Sequence, residues 1–137
     1  MEINKELIEK LENVKIENSS ILEDIEELCK NINDIRIVGP LFHVFENNPD
    51  FNFGNPGNLV RIIEKFYTNP IYEQELYKSV NRKPTEYNLW MLNRMMNTFD
   101  DDKKEMGIKL LKKVVSDPNI SEDLKDSAKD FLEEQTE

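Results

Sequence analysis

Apolar residues recur along the chain at spacings of three and four, the period of a helix that buries one face. Two N-terminal series show the pattern: Ile3, Leu7, Leu11 and Val14, followed by Ile21, Ile25, Leu28 and Ile32. The run at 35–38 (IRIV) is the sole candidate strand, and it is too short to found a sheet. This periodicity predicts an all-α protein.

Proline marks three of the predicted helix starts, at Gly39-Pro40, Asn55-Pro56 and Asn69-Pro70. A helix tolerates proline in its first turn because the missing N–H has no acceptor there. The helices that follow are predicted near 38–47, 56–67 and 70–81, and Pro84-Thr85 is predicted to begin the next one.

Other starts are predicted from polar side chains. Ser20 and Glu23 have the spacing of a capping box, in which a hydroxyl and a carboxylate satisfy free backbone N–H groups. Asp100 to Asp102 would place negative charge at the positive end of a helix dipole. Ser121 is predicted to cap the last helix.

The chain is therefore predicted to form one domain, residues 1–137, of about eight short helices. We expect four antiparallel pairs, over residues 2–33, 37–67, 70–98 and 101–134. Pairs of this size, stacked side by side, predict a short α-solenoid of the HEAT or armadillo kind. An irregular helical bundle is the alternative.

The net charge is strongly negative and unevenly placed. With 18 basic and 28 acidic residues the chain carries −10, and the acids concentrate in residues 1–34 and 100–137. Such a charge repels nucleic acid and anionic lipid and favours a basic protein partner, although charged ends also serve as solubilising caps. The single cysteine and the absence of an export signal or a membrane-spanning apolar run predict a cytoplasmic protein.

Residues with catalytic or ligand-binding chemistry are few. His43 stands among apolar residues and is predicted to be a buried or half-buried structural residue, and Cys29 a small core residue. Asp100 to Asp102 lack the spacing of a calcium loop, and Gly54 to Gly57 lack the lysine and hydroxyl of a phosphate loop. We predict no catalytic residue, no cofactor and no metal site.

Residues 87–97 form the most distinctive segment of the chain. At helical spacing Tyr87, Trp90, Arg94 and Asn97 share one stripe, and Trp90 and Arg94 are close enough for the guanidinium to lie over the indole. Trp90 either fills the joint between two helix pairs, with Arg94 and Asn97 bonded to backbone carbonyls, or contacts a partner directly.

An ordered set of motifs leads into this segment. An apolar-Phe helix (PLFHVFENNPD) precedes a glycine-bearing loop and a helix ending in IEKFY, and IYEQELYKSV and a W-x-x-x-R-x-x-N helix follow. Over residues 37–98 this order resembles all-α immunity proteins encoded beside bacterial polymorphic toxins and contact-dependent inhibition systems. The FNFGNPG loop departs from that order. The resemblance implies a protein that binds and neutralises a cognate toxin domain, with no catalytic residues.

Candidate contact residues follow from charge and from residue type. Nuclease toxin domains have basic clefts that an acidic surface would fill, and tyrosine, tryptophan and arginine are common anchors of binding energy. The candidates are Glu23, Asp24, Glu26 and Glu27, then Asp101, Asp102, Asp126 and Asp130, together with Tyr87, Trp90 and Arg94. The alternative function is a helical-repeat adaptor for an unrelated protein or peptide, and the sequence does not predict an oligomeric state.

Overall fold

A computed structural model describes residues 3–137, and this part of the chain contains eight α-helices and no strand. The predicted all-α class is confirmed, and the run at 35–38 begins with a 3₁₀ turn instead of a strand. The helices are α1 (Lys5–Asn13), α2 (Ser19–Cys29), α3 (Val38–Asn47), α4 (Asn58–Glu64), α5 (Pro70–Arg82), α6 (Glu86–Met96), α7 (Glu105–Ser116) and α8 (Glu122–Thr136).

Most predicted helix starts are confirmed. Helix α3 begins at the predicted position, and α5 begins at Pro70, with the Asn69 side chain accepting a hydrogen bond from the N–H of Ile71. The Ser121 hydroxyl caps α8 by accepting from the N–H of Leu124 at 3.3 Å. These signals lie within a few residues of the start that they mark, so they can be read locally.

The predicted Ser20 cap is wrong, because α2 is capped by Asn18. The side-chain oxygen of Asn18 accepts from the N–H of Ile21 at 3.1 Å, and its backbone is extended (φ −160°, ψ 170°) as a cap requires. Ser20 already lies inside the first helical turn.

The predicted helix start at Asp100 to Asp102 is also wrong. Residues 101–104 form turns, the Asp100 carboxylate accepts from the N–H of Lys103 at 2.9 Å, and α7 begins at Glu105. Helix α4 is shorter than the predicted 56–67. Gly54 and Gly57 have φ of 112° and 89°, which no helix contains, so α4 starts after them.

The chain divides into two compact units, one ending at Glu75 and the other running from Leu76 to Glu137. In the first unit, α1 packs on α3 and α2 packs on α4. These partners are not neighbours in the chain, whereas the pairs predicted over 2–33 and 37–67 join consecutive helices. Aromatic contacts fill the centre of the unit, including Phe45 against Phe53 at 4.7 Å between ring centroids.

Buried Asn48 fixes the chain between α1 and α2 to the end of α3. Its side-chain oxygen accepts from the N–H of Ile16 at 2.8 Å, and its amide donates to the carbonyls of Val14 at 3.0 Å and Val44 at 2.8 Å. Next to it, Asn47 donates to the carbonyl of Glu12 at 2.6 Å. An extended segment has no helical partners for its own backbone groups, so these bonds determine its path.

In the second unit, α8 packs on both α6 and α7. Asn88, which is fully buried, forms a reciprocal capping box with Thr85 and donates to the hydroxyl of Ser79 at 3.0 Å and the carbonyl of Lys83 at 2.9 Å. A side chain at Gly107 would collide with Met96, so the glycine permits α7 to approach α6 closely. The stacking of helices into a solenoid stays a prediction.

Replacing Asn48 with alanine should lower the free energy of unfolding by about 2–4 kcal/mol, because two buried backbone groups and one partly buried group lose their partner. Urea unfolding followed by circular dichroism measures the change. Asn13→Ala is the matched control: Asn13 is exposed and makes one side-chain bond, to the carbonyl of Glu9, so its loss should cost less than about 1 kcal/mol. Equal effects of the two substitutions would contradict this role of Asn48.

Candidate protein-binding surfaces

Three side chains of α6 stack along its surface and form what we call the aromatic–arginine ladder: Tyr87, Trp90 and Arg94. The Tyr87 and Trp90 ring centroids are 6.4 Å apart, and the Arg94 guanidinium lies 6.0 Å from the Trp90 ring. Both rings are half-buried and Arg94 is exposed. The stack holds a large aromatic surface and a cation in place at the protein surface, at the outer limit of cation–π distance.

Asn97 does not complete this ladder, although the sequence placed it on the same stripe. Its side-chain oxygen accepts from the amide of Gln135 at 2.8 Å, so it takes part in packing between α6 and α8. The predicted bond to a backbone carbonyl would require the Asn97 side-chain amide to donate, and no such bond is present among residues 3–137.

The acids of α8 all lie on one side of the helix. At about 100° per residue, six carboxylates fall within an arc of about 120°, roughly opposite the buried residue Ala128. We call this set the acidic face of α8: Glu122, Asp123, Asp126, Asp130, Glu133 and Glu134. Two lysines, Lys125 and Lys129, are the basic residues of the helix, so α8 keeps a strong negative charge.

Asp126 and Asp130 are the two members of this face that are among the contact residues predicted from the sequence, and its other four members are not. Asp126 and Asp130 are exposed and one turn apart. A projection of residues 122–136 at helical spacing would have identified the whole set, because every member lies within one amphipathic helix.

Polar side chains join α6 to α8. The hydroxyl of Ser127 donates to Glu86 at 3.1 Å, the amide of Asn93 donates to Glu134 at 3.0 Å, and the amide of Gln135 donates to the Asn93 side chain at 2.7 Å. The side-chain oxygen of Gln135 is buried, and no partner for it lies among residues 3–137. This network sets the rotation of α8 against α6.

The same contacts bring the ladder and the acidic face to one seam. Trp90 is one turn beyond Glu86 and one turn before Asn93 and Arg94, so it lies beside the residues of α6 that bond to α8. Glu134 belongs to the acidic face and itself bonds across the seam, with Asp130 one turn before it. The seam therefore has an aromatic and cationic side on α6 and an anionic side on α8.

The remaining acids of this unit singled out by the sequence are Asp101 and Asp102. Both are exposed in the turns that precede α7. They add negative charge to the surface of the second unit, but they lie outside the hydrogen-bonded seam.

In the first unit, basic residues lie beside the predicted acidic face of α2. Glu23, Glu26 and Glu27 border a groove of about 550 Å³ whose other charged residues are Lys30, Arg61 and Lys65. The ammonium of Lys30 is 2.8 Å from the Glu27 carboxylate. Asp24 is exposed and does not border the groove. Three cations beside three acids cancel much of the field that the sequence predicted there.

His43 is half-buried, as predicted, and lies between two carboxylates. Its Nδ1 is 3.6 Å from Glu46, which is buried, and its Nε2 is 4.0 Å from Glu12.

Cys29, the single thiol, is fully buried in the core, as predicted. Burial raises the pKa of this thiol to about 11, against an opposing effect of nearby Lys65, so Cys29 is not an activated nucleophile.

Residues 3–137 hold no group of three or more His, Cys, Asp or Glu side chains placed to bind a metal ion. Among the helices of this same range, none has the length and apolar character that crossing a membrane requires. The Gly54 to Gly57 loop, a weak candidate for phosphate, turns back on itself so tightly that a side chain at Gly57 would collide with the carbonyl of Phe53.

Cys29 should resist thiol reagents in the folded protein. With a pKa near 11, about one thiol in a thousand is ionised at pH 8, and the reagent must also reach a buried sulfur. We expect reaction with a disulfide dye to be slow in buffer and complete in denaturant. Equal rates in the two conditions would contradict the buried, protonated state.

The sequence matches no family model, and the comparisons with curated proteins and with solved structures give no significant match.

Proposed function

We propose that this chain is an immunity protein that binds a cognate bacterial toxin domain in the cytoplasm and neutralises it by protein–protein contact. The observation that carries the proposal is the seam of the second unit, where the aromatic–arginine ladder adjoins the acidic face of α8. The motif order over residues 37–98, which resembles immunity proteins, supplies the kind of partner.

The acidic face suits a partner with a basic cleft. Complementary charge accelerates the encounter of two proteins and rejects partners of the wrong sign. In a nuclease toxin, carboxylates placed among the lysines and arginines of the cleft would displace the substrate phosphate. The chain's net charge of −10 acts in the same direction at longer range.

The aromatic–arginine ladder consists of the residue types that usually provide affinity in a protein interface. Interface binding energy concentrates in a few desolvated anchors, and tryptophan, tyrosine and arginine are the residues most often found there. Trp90 is held in place by Tyr87 on one side and Arg94 on the other, so little side-chain entropy remains to be lost when a partner covers it.

The cations beside α2 change which acidic residues we expect to contribute most to binding the partner. The sequence ranked Glu23 and its neighbours on α2 first, but the cations of α4 and Lys30 lie beside them. Asp126 and Asp130 have no comparable set of cations on their face, so we place the main electrostatic contact on α8 instead.

A helical-repeat adaptor for an unrelated basic protein would use the same surface, and the identity of the partner separates the two functions. If the chain is an immunity protein, its gene should directly follow one that encodes a toxin domain, and that domain is the decisive partner. An immunity protein should bind that domain tightly and protect cells in which it is expressed. An adaptor should do neither.

The double variant Asp126→Lys/Asp130→Lys should weaken toxin binding at least about tenfold, because it reverses charge at the centre of the acidic face. Calorimetric titration with a catalytically inactive toxin domain measures the affinity. The control is Glu23→Lys/Glu27→Lys, which changes the net charge equally on the neutralised groove of α2 and should cost less than about threefold.

Trp90→Ala should weaken binding by about 30-fold, provided that circular dichroism shows the variant folded.

Equal losses in the α8 and α2 charge variants would indicate a general charge effect and would contradict a contact on α8. If the wild-type chain neither binds the upstream domain nor protects cells from it, the immunity function is wrong.

A further inference from the structure

A second groove, in the second unit, has a basic rim although the protein as a whole is acidic. It lies between the end of α5 and helix α7 and has a volume of about 670 Å³. Its rim and floor, which we call the lysine groove, include Lys78, Lys109, Lys112, Lys113, Met106 and Leu110. No carboxylate borders it among the residues that the structure describes.

Two of these lysines have no internal partner. Lys113 donates to the side chain of Asn81. Neither Lys109 nor Lys112 has a hydrogen bond or an ion pair with any other residue of 3–137. The protein has a net charge of −10, so acidic side chains are abundant. Even so, none of those described is paired with Lys109 or Lys112, which border an apolar floor.

The floor of the groove contains exposed apolar surface. Met106 is 50% exposed, one of the three large hydrophobic side chains that remain so accessible in the described chain. Methionine is enriched at protein interfaces, where its flexible thioether adapts to the shape of a partner. If the lysines of this helix face served solubility alone, an exposed methionine beside them would not be needed.

The dimensions of the groove match an extended ligand. The eleven residues from Met106 to Ser116 rise about 15 Å along α7, which is close to three helical turns. Lys109 and Lys113 are four residues apart, and Lys109 and Lys112 are three apart. Acidic residues at the same three- and four-residue spacing on a facing helix would meet them in register.

We propose that the lysine groove binds an amphipathic, acidic helical segment of a partner protein. Apolar side chains of that segment would cover Met106 and Leu110, and its carboxylates would pair with Lys109 and Lys112. The occupant has the opposite charge from the basic partner proposed for the acidic face of α8, so the two surfaces recognise different segments, and this site does not depend on the toxin contact.

Two other occupants fit the groove less well. A second copy of this chain could offer the acidic face of α8, but that face has no apolar side chain to cover Met106. Single-stranded nucleic acid requires a series of aromatic platforms for its bases, and Tyr77 is the one aromatic residue of the groove among those described.

The test uses the full chain and a fluorescent synthetic peptide of about 14 residues with glutamates and leucines at helical spacing. We expect saturable binding that weakens at least about tenfold in Lys109→Glu/Lys112→Glu and severalfold in Met106→Ala. The control Lys5→Glu/Lys10→Glu changes the net charge equally on exposed positions of α1 and should bind within about twofold of the wild type. A peptide of the same composition in scrambled order should bind weakly.

Circular dichroism confirms that each variant is folded before its affinity is compared. Equal losses in the groove and control variants, or equal binding of the scrambled peptide, would overturn the proposal. Tighter binding of a single-stranded oligonucleotide than of the peptide would identify a polyanion surface instead. Concentration-dependent dimerisation in sedimentation, abolished by Lys109→Glu/Lys112→Glu, would identify a second copy as the occupant.

Discussion

Buried asparagine side chains hold this structure together at the points where its helices end. The helices have 7 to 15 residues, lengths at which isolated helices are marginal in water, so packing must fix them. Asn48 anchors the extended segment after α1 to α3, and Asn88 joins the end of α5 to the start of α6. Each amide satisfies backbone groups that a helix cannot, whereas between α6 and α8 the side chains of Asn93 and Gln135 bond to each other.

The second unit carries an acidic surface and a basic surface on different helices. The acidic face of α8 and the lysine groove of α7 belong to helices that pack on each other, yet they carry opposite signs. In the first unit the acids of α2 have cations beside them, and little net field results. Net charge therefore describes this protein poorly, because recognition depends on which face of which helix carries the charge.

The sequence predicts what is locally encoded and misses what distant residues decide. Helix α3 and the start of α5 matched their predictions because periodicity and Pro70 act within a few residues. Asn18 caps α2 in place of Ser20 because its extended backbone directs its side-chain oxygen to the N–H of Ile21. The bond from Asn48 to Ile16, 32 residues away, is by contrast not visible in local sequence. The lysine groove escaped prediction because α5 supplies one of its walls, and sequence spacing does not show that α5 and α7 border a common groove.

The proposed function requires that a partner covers the seam between α6 and α8. Amide hydrogen exchange of the chain, alone and with the toxin domain that the proposed function expects to be encoded upstream, shows whether this contact exists. We expect slowed exchange in residues 86–97 and 122–136, with little change in residues 21–30 and 58–65. Protection confined to residues 21–30 and 58–65, or no protection at a saturating concentration of the toxin domain, would contradict a contact at this seam.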